Sequence, residues 1–321
     1  MAPIREPSLL TNPLATSLQL ETSAAQLDGV PRDLENSISY ETARLIQAAG
    51  ILLRLPQEII ARSIIILQRF WSGPDGGSML EHESKVRHRS RQSVSSAFED
   101  RVKLIAKQDA AAAVLYLTAK PSASPVSLRQ LLTVFAYLDS TQGDYSSATT
   151  ANGEAKAEWH LSDGEYEARR NRLYKVESHI LRVLGFQTHV ALPYTLCINY
   201  LQTLEVFQSA DGSHVAKRAF AHLNAALLSP QLLYLTHQPS ALATAAIYLA
   251  AREMDVKLPE VEWWEVFDVD REDLGFLVVA FRSLGGFALE EKRKWRRRKV
   301  PLTSEELRGE LERQRMVDAG Q

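Results

Sequence analysis

Between Asp109 and Lys120 the chain runs for ten residues without a charge, in the stretch D-A-A-A-A-V-L-Y-L-T-A-K. A helix that is apolar on every side belongs at the centre of a bundle, not on its surface. The alanines let neighbouring helices come close, and Val114, Leu115, Tyr116 and Leu117 supply contact area. Asp109 is placed to accept hydrogen bonds from the first free N–H groups of such a helix. Pro121 stops it from running on, and Lys120 falls where the last carbonyls open outward. The pattern returns from Ser240 to Arg252, S-A-L-A-T-A-A-I-Y-L-A-A-R, and Val114 to Lys120 align with Ala246 to Arg252 without a gap. A central helix that occurs twice implies an internal duplication.

A chain of 321 residues, 45% of them hydrophobic, is long enough for two domains with real cores. Few stretches alternate with period two. Apolar residues recur at three and four, so the fold class expected is all-α. The net charge of -2 argues against wholesale nucleic-acid binding. One cysteine, Cys197, cannot build a disulfide framework or a cysteine zinc site, which fits cytosol or nucleus. No run of about 18 apolar residues is present, and the N-terminus lacks a basic-then-apolar signal pattern.

Taken in order, residues 1–36 read as a loose arm able to dock on the first domain. Ser37 or Ser39 is placed to cap a first helix from Tyr40 to about Leu53, and Pro56 opens a second that ends near Trp71. A polar insert covers about 72–108 and includes the basic run from Lys85 to Ser93, K-V-R-H-R-S-R-Q-S. The central helix follows, then a fourth from Ser127. A second insert, rich in small and polar residues, covers about 139–164. The fifth helix runs from Glu165 to about Leu184, with Gly185 as its stop. The scheme then repeats, with starts at Pro193, Ser213 and near Pro239, a short fourth segment at Trp263-Trp264-Glu265-Val266-Phe267, and a fifth helix from Asp270 that ends at Gly285-Gly286. The domains expected are therefore the arm (1–36), two five-helix units (37–188 and 189–287) and a charged tail (288–321). Thr303 and Glu306 in that tail have capping-box spacing.

Two tandem five-helix units, each with a buried alanine-rich third helix, resemble the cyclin fold. The stretch L-I-Q-A-A-G-I-L-L-R-L-P-Q (45–57) is similar to the start of the cyclin box in the L-type cyclins. So are N-Y-L-Q (199–202) with Leu204 and Glu205, and I-Y-L-A-A-R (247–252) with Leu258 and Pro259. The resemblance covers about 29–287. It implies a nuclear regulatory subunit that binds and activates a cyclin-dependent serine/threonine kinase acting in RNA polymerase II transcription or pre-mRNA splicing. In that family a lysine closing the third helix and a glutamate within the fifth grip the kinase's main chain. The matching positions are Lys120 and Glu177. A lysine only donates and an ionised glutamate only accepts, so together they can meet both kinds of main-chain group. The chain departs from the family where Pro121-Ser122-Ala123-Ser124 replaces acidic residues after the lysine. Ala43-Arg44-Leu45-Ile46-Gln47 stands where cell-cycle cyclins carry a substrate-docking motif.

The alternative reading is a cyclin-fold nucleic-acid-binding transcription factor of the TFIIB type, without a kinase partner. Such factors usually add a zinc ribbon, which one cysteine cannot build. The histidines have no metal-ligand spacing, and no phosphate-binding or nucleophile motif is present. No metal, cofactor, membrane or catalytic residue is expected. The run Lys292, Arg293, Lys294, Arg296, Arg297, Arg298 and Lys299 reads as a nuclear import signal or an RNA-contacting patch. Any nucleic-acid contact would be weak, through that run or the run from Lys85 to Ser93.

Overall fold

The computed structural model describes residues 10–77, 106–140 and 160–297, with the isolated positions 309, 313 and 316. Among these residues there is no strand. Twelve α-helices occur: α1 (Ser17–Glu21), α2 (Ala24–Leu27), α3 (Arg32–Leu52), α4 (Gln57–Trp71), α5 (Ala106–Ala119), α6 (Leu128–Ser140), α7 (Asp163–Val183), α8 (Tyr194–Thr203), α9 (Gly212–Ala226), α10 (Leu233–Thr236), α11 (Pro239–Glu253) and α12 (Arg271–Arg297). The chain forms two compact units. One comprises residues 16–188 and 294–321, the other residues 1–15 and 189–293.

In the first unit α5 is the hub and packs on α3, α4, α6 and α7. Ala111, Ala113, Val114, Leu115 and Ala119 are sealed from water. The small side chains let four neighbours reach one helix. The hydroxyls in this contact are bonded: Thr118 Oγ1 lies 2.6 Å from Ser63 Oγ of α4 and donates to the Val114 carbonyl. Helix α5 begins at Ala106, a turn before the start expected at Asp109. Asp109 is thus not a capping residue but a buried member of the first turn.

The turn between α3 and α4 explains the stretch from Leu45 to Gln57. Arg54 takes the left-handed conformation, with φ of 55°. The Leu55 N–H donates back to the Gly50 carbonyl at 2.9 Å, and extended Pro56 starts α4. Gly50 is where the two helices cross: a Cβ there would sit 2.5 Å from Ile60 Cγ1. Helix α3 itself starts at Arg32, two turns before Tyr40. Pro31 is extended at its entry, and Asp33 and Glu35 lie in its first turn, where the helix dipole favours acids. Ser37, expected near a cap, is buried inside the helix.

The N-terminal stretch is ordered in two parts. Thr16 and Gln19 form a capping box on α1, and Ser23 caps α2. The Gly73 N–H donates to the Gln19 carbonyl, and Ala24 donates to the Gly73 carbonyl. Residues 10–15 instead belong to the second unit. There the Asn12 side chain bonds both main-chain groups of Ala191, each at 2.8 Å. The Gln238 side chain in turn bonds both main-chain groups of Asn12, at 3.0 and 2.9 Å.

In the second unit α11 is the hub and packs on α8, α9 and α10. Ala243, Ala245, Ala246, Ile247, Ala250 and Ala251 have no exposed surface. A 3-10 turn at Glu265–Phe267 stands fourth, with Phe267 stacked on Tyr200. Helix α12 does not stop at Gly285-Gly286 but runs to Arg297. Neither glycine takes positive φ, whereas Gly185, which does end α7, has φ of 55°. Leu274, Leu277, Phe281 and Leu284 form the buried stripe of α12 up to the pair, and Glu291 is buried beyond it. Within α12, Phe281 stacks on His222 and Phe276 on His237. The run from Lys85 to Ser93 and the Thr303–Glu306 spacing lie outside the described residues.

Gly50→Ala tests the crossing of α3 and α4. Alanine favours the helix by up to about 1 kcal/mol over glycine, but overpacking against Ile60 costs about 1–3 kcal/mol. The expected net effect is a lower melting temperature, and in an Ile60→Ala background the same substitution should cost less or stabilise. A raised melting temperature in the single variant would show that Ile60 moves aside freely.

Candidate functional site

Lys120 follows α5 directly and Glu177 lies inside α7, two helices that pack side by side. Lys120 Nζ donates to Glu177 Oε1 at 2.5 Å. The side chain of Lys120 is 50% exposed and that of Glu177 only 8%. Leu173, Val176 and Ile180 face the core of the first unit, which fixes the rotation of α7 and sets Glu177 at the edge of its buried face. The two residues expected to act together are thus paired in this structure. The Glu177 carboxylate is largely screened from water.

Two tyrosines complete the corner. Tyr116 lies one turn before Lys120 on α5, and Tyr174 one turn before Glu177 on α7. The Lys120 ammonium stands 4.9 Å from the centre of the Tyr116 ring, and the Tyr116 and Tyr174 ring centres are 6.5 Å apart. Burial, more than the charges around it, raises the Tyr116 hydroxyl above its ordinary pKa. From the sequence Tyr116 reads only as contact area of the central helix, and Tyr174 is not singled out. Their spacing of four from Lys120 and three from Glu177 was the signal.

A second cluster gathers about 16 Å away, at the other end of α5. Asp109 meets Arg172 of α7 at 3.5 Å, and Asp139 near the end of α6 meets Arg169 of α7 at 3.3 Å. Gln108 donates to Asp139. Burial pushes the Asp109 carboxyl up to about 7, against the pull of Arg172 and Arg169. It pushes Asp139 up to about 6, against Arg169. No motif pointed to this cluster, because its members come from three helices.

Of the basic run, Lys292, Arg293 and Lys294 are exposed on α12. Arg296 and Arg297 close that helix, and Arg298 and Lys299 lie outside the described residues. Among the described residues no group of three or more His, Cys, Asp or Glu could hold a metal ion, and no helix is long and apolar enough to cross a membrane. Cys197 is buried, which pushes its thiol up to about 12.

The chain is similar to L-type cyclins over most of its length. It is 28% identical to Cyclin-L1 of Danio rerio over 266 residues, covering 83% of this chain and 45% of the relative. It is 27% identical to human Cyclin-L2 over 307 residues, covering 95% of this chain and 49% of the relative. The chain thus spans about half the length of the curated relatives it matches. Among solved structures it resembles a chain of the yeast RNA Pol II CTD kinase CTDK-1 complex, with a TM-score of 0.59 and 14% identity, over 85% of this chain and 72% of that one. That likeness supports the fold, an all-α cyclin fold. No protein-family model matches the chain.

The raised carboxyls make stability depend on pH. Both folded-state values lie above the ordinary 3.8, so the protonated forms favour the fold. Their contribution is complete below about pH 4 and is lost as pH rises through about 6 for Asp139 and about 7 for Asp109. Asp109→Asn and Asp139→Asn should each flatten the fall in melting temperature between pH 5 and pH 8, a range that spans both values. Parallel melting curves for the variants and the parent across that range would show that neither carboxyl titrates there.

Proposed function

We propose that this relative of the L-type cyclins is the regulatory subunit of a cyclin-dependent serine/threonine kinase acting in RNA polymerase II transcription or pre-mRNA splicing. The observation that carries the reading is the bonded Lys120–Glu177 pair, half open to solvent at the end of the hub helix. Glu177 bonds through Oε1, and Oε2 remains as an acceptor. Lys120 has three N–H groups and Glu177 occupies one. The corner therefore offers a donor and an acceptor side by side, which suits the free C=O and N–H groups at a helix end or loop.

The mechanism is allosteric. The first unit presses the kinase's regulatory helix inward and completes the lysine–glutamate pair that phosphoryl transfer requires in the kinase. The kinase supplies the catalytic residues and Mg²⁺–ATP, and this chain supplies no catalytic group. The protein acts in the nucleus, and the basic run from Lys292 to Lys299 is its import signal.

Purification of the chain from its host should bring a cyclin-dependent kinase with it. The Lys120→Ala, Glu177→Ala double variant should lose that kinase. Truncating a charged contact at an interface costs about 2–5 kcal/mol, or roughly 30- to several-thousand-fold in affinity. Lys120→Ala alone strands the largely buried Glu177 carboxylate, so the double variant, which removes both charges, should melt closer to the parent than Lys120→Ala does. Undiminished kinase binding by the double variant would remove this corner from the interface. In a separate test, alanines at Arg296, Arg297 and Arg298 should shift the protein to the cytoplasm while kinase copurification persists; a variant that stays nuclear would refute the import role.

A further inference from the structure

A lysine and a glutamate that bond main-chain groups carry no sequence information, because every protein presents the same main chain. Discrimination between partners must come from side-chain contacts nearby. Beside the pair lie Tyr116 and Tyr174, each one turn before one of the charged residues. Their rings are tilted by 55°, with centres 6.5 Å apart. Tyr116 is half-buried, with one face under the Lys120 ammonium. Tyr174 is 44% exposed. A segment that reaches Lys120 and Glu177 from solvent therefore meets the Tyr174 ring.

We propose that Tyr174, held in place by Tyr116, is a specificity-determining contact that takes an apolar side chain of the kinase segment gripped by Lys120 and Glu177. The proposal rests on the kinase-binding reading of that pair. Charge selects the class of side chain. A ring face attracts cations, but the Lys120 ammonium already stands at this corner and repels a second one. Lys120 and Glu177 largely neutralise one another, so an acidic side chain gains little net attraction here and meets the negative ring face. An aliphatic or thioether side chain meets neither penalty and gains from covering the exposed ring. Tyr116 is the positioning residue. Its ring stands beside the Tyr174 ring and under the ammonium, so the reading element and the gripping element are set by one side chain.

The test measures affinity of the full chain for a panel of purified cyclin-dependent kinases that differ in the segment contacted, with wild type, Lys120→Ala, Tyr174→Ala and Tyr174→Leu. Lys120→Ala should weaken every kinase that the wild type binds by a similar factor and keep their order. Tyr174→Ala should weaken the preferred kinase by about tenfold or more, one step of 1.4 kcal/mol, and weaken the others less, so that the order flattens. Tyr174→Leu should keep most of the preference, because it keeps apolar surface. Tyr116→Ala, which removes the ring beside Tyr174, should flatten the order part of the way. If Tyr174→Ala leaves every affinity unchanged, or lowers all by one common factor, the inference is overturned while a loss in Lys120→Ala preserves the kinase-subunit reading. If the wild type binds no kinase of the panel, both fall together.

Discussion

Everything in the first unit depends on how close other helices can come to α5. Its alanines present one methyl group each, so α3, α4, α6 and α7 all reach the same cylinder. A larger side chain at Ala111 or Ala113 would have no volume to enter, because interiors are packed at crystal density. The same constraint fixes the charges. A helix sealed along its length can carry charged groups only at its ends, and there they are partly desolvated.

The two ends resolve this differently. At the start of α5, Asp109 sits deep and its arginine partner stands 3.5 Å away, so desolvation prevails and the carboxyl is pushed up to about 7. At the far end, Lys120 keeps half its surface in water while the buried group is its partner, Glu177. A buried carboxylate bonded to an exposed ammonium leaves the cation able to turn toward a third group without stranding its own charge. The first arrangement fastens helices together, and the second presents a surface.

The hub helices, their repetition and the order of the elements were legible because an unbroken apolar run has only one place to go. Lys120 and Glu177 were legible only through resemblance; 57 residues separate them, and periodicity says nothing of their meeting. Helix ends were read less well. Gly285-Gly286 looked like a stop, but a glycine at a helix end acts as one when the chain takes positive φ there, and neither of these does. Ser37 and Ser39 looked like caps, but α3 had already started at Arg32. Asp109 was read as a cap because the interior side of a residue is set by its neighbours in space, here Arg172 of α7.

The pairing of Lys120 with Glu177 bears on how strongly the corner can hold a partner. In the free chain the two charges already satisfy part of each other's bonding, so a partner gains only the difference between its own bonds and the part of the existing one it displaces. A wholly exposed lysine would first have to surrender about 2 kcal/mol of rotamer freedom. Here the Tyr116 ring and the Glu177 carboxylate have already restricted that side chain. The corner gives up some gross attraction and loses less entropy on binding, which is what preorganisation means for an interface. For the same reason the neighbouring rings matter more than their area suggests: whatever loosens Tyr116 releases both the ammonium above it and the Tyr174 ring beside it.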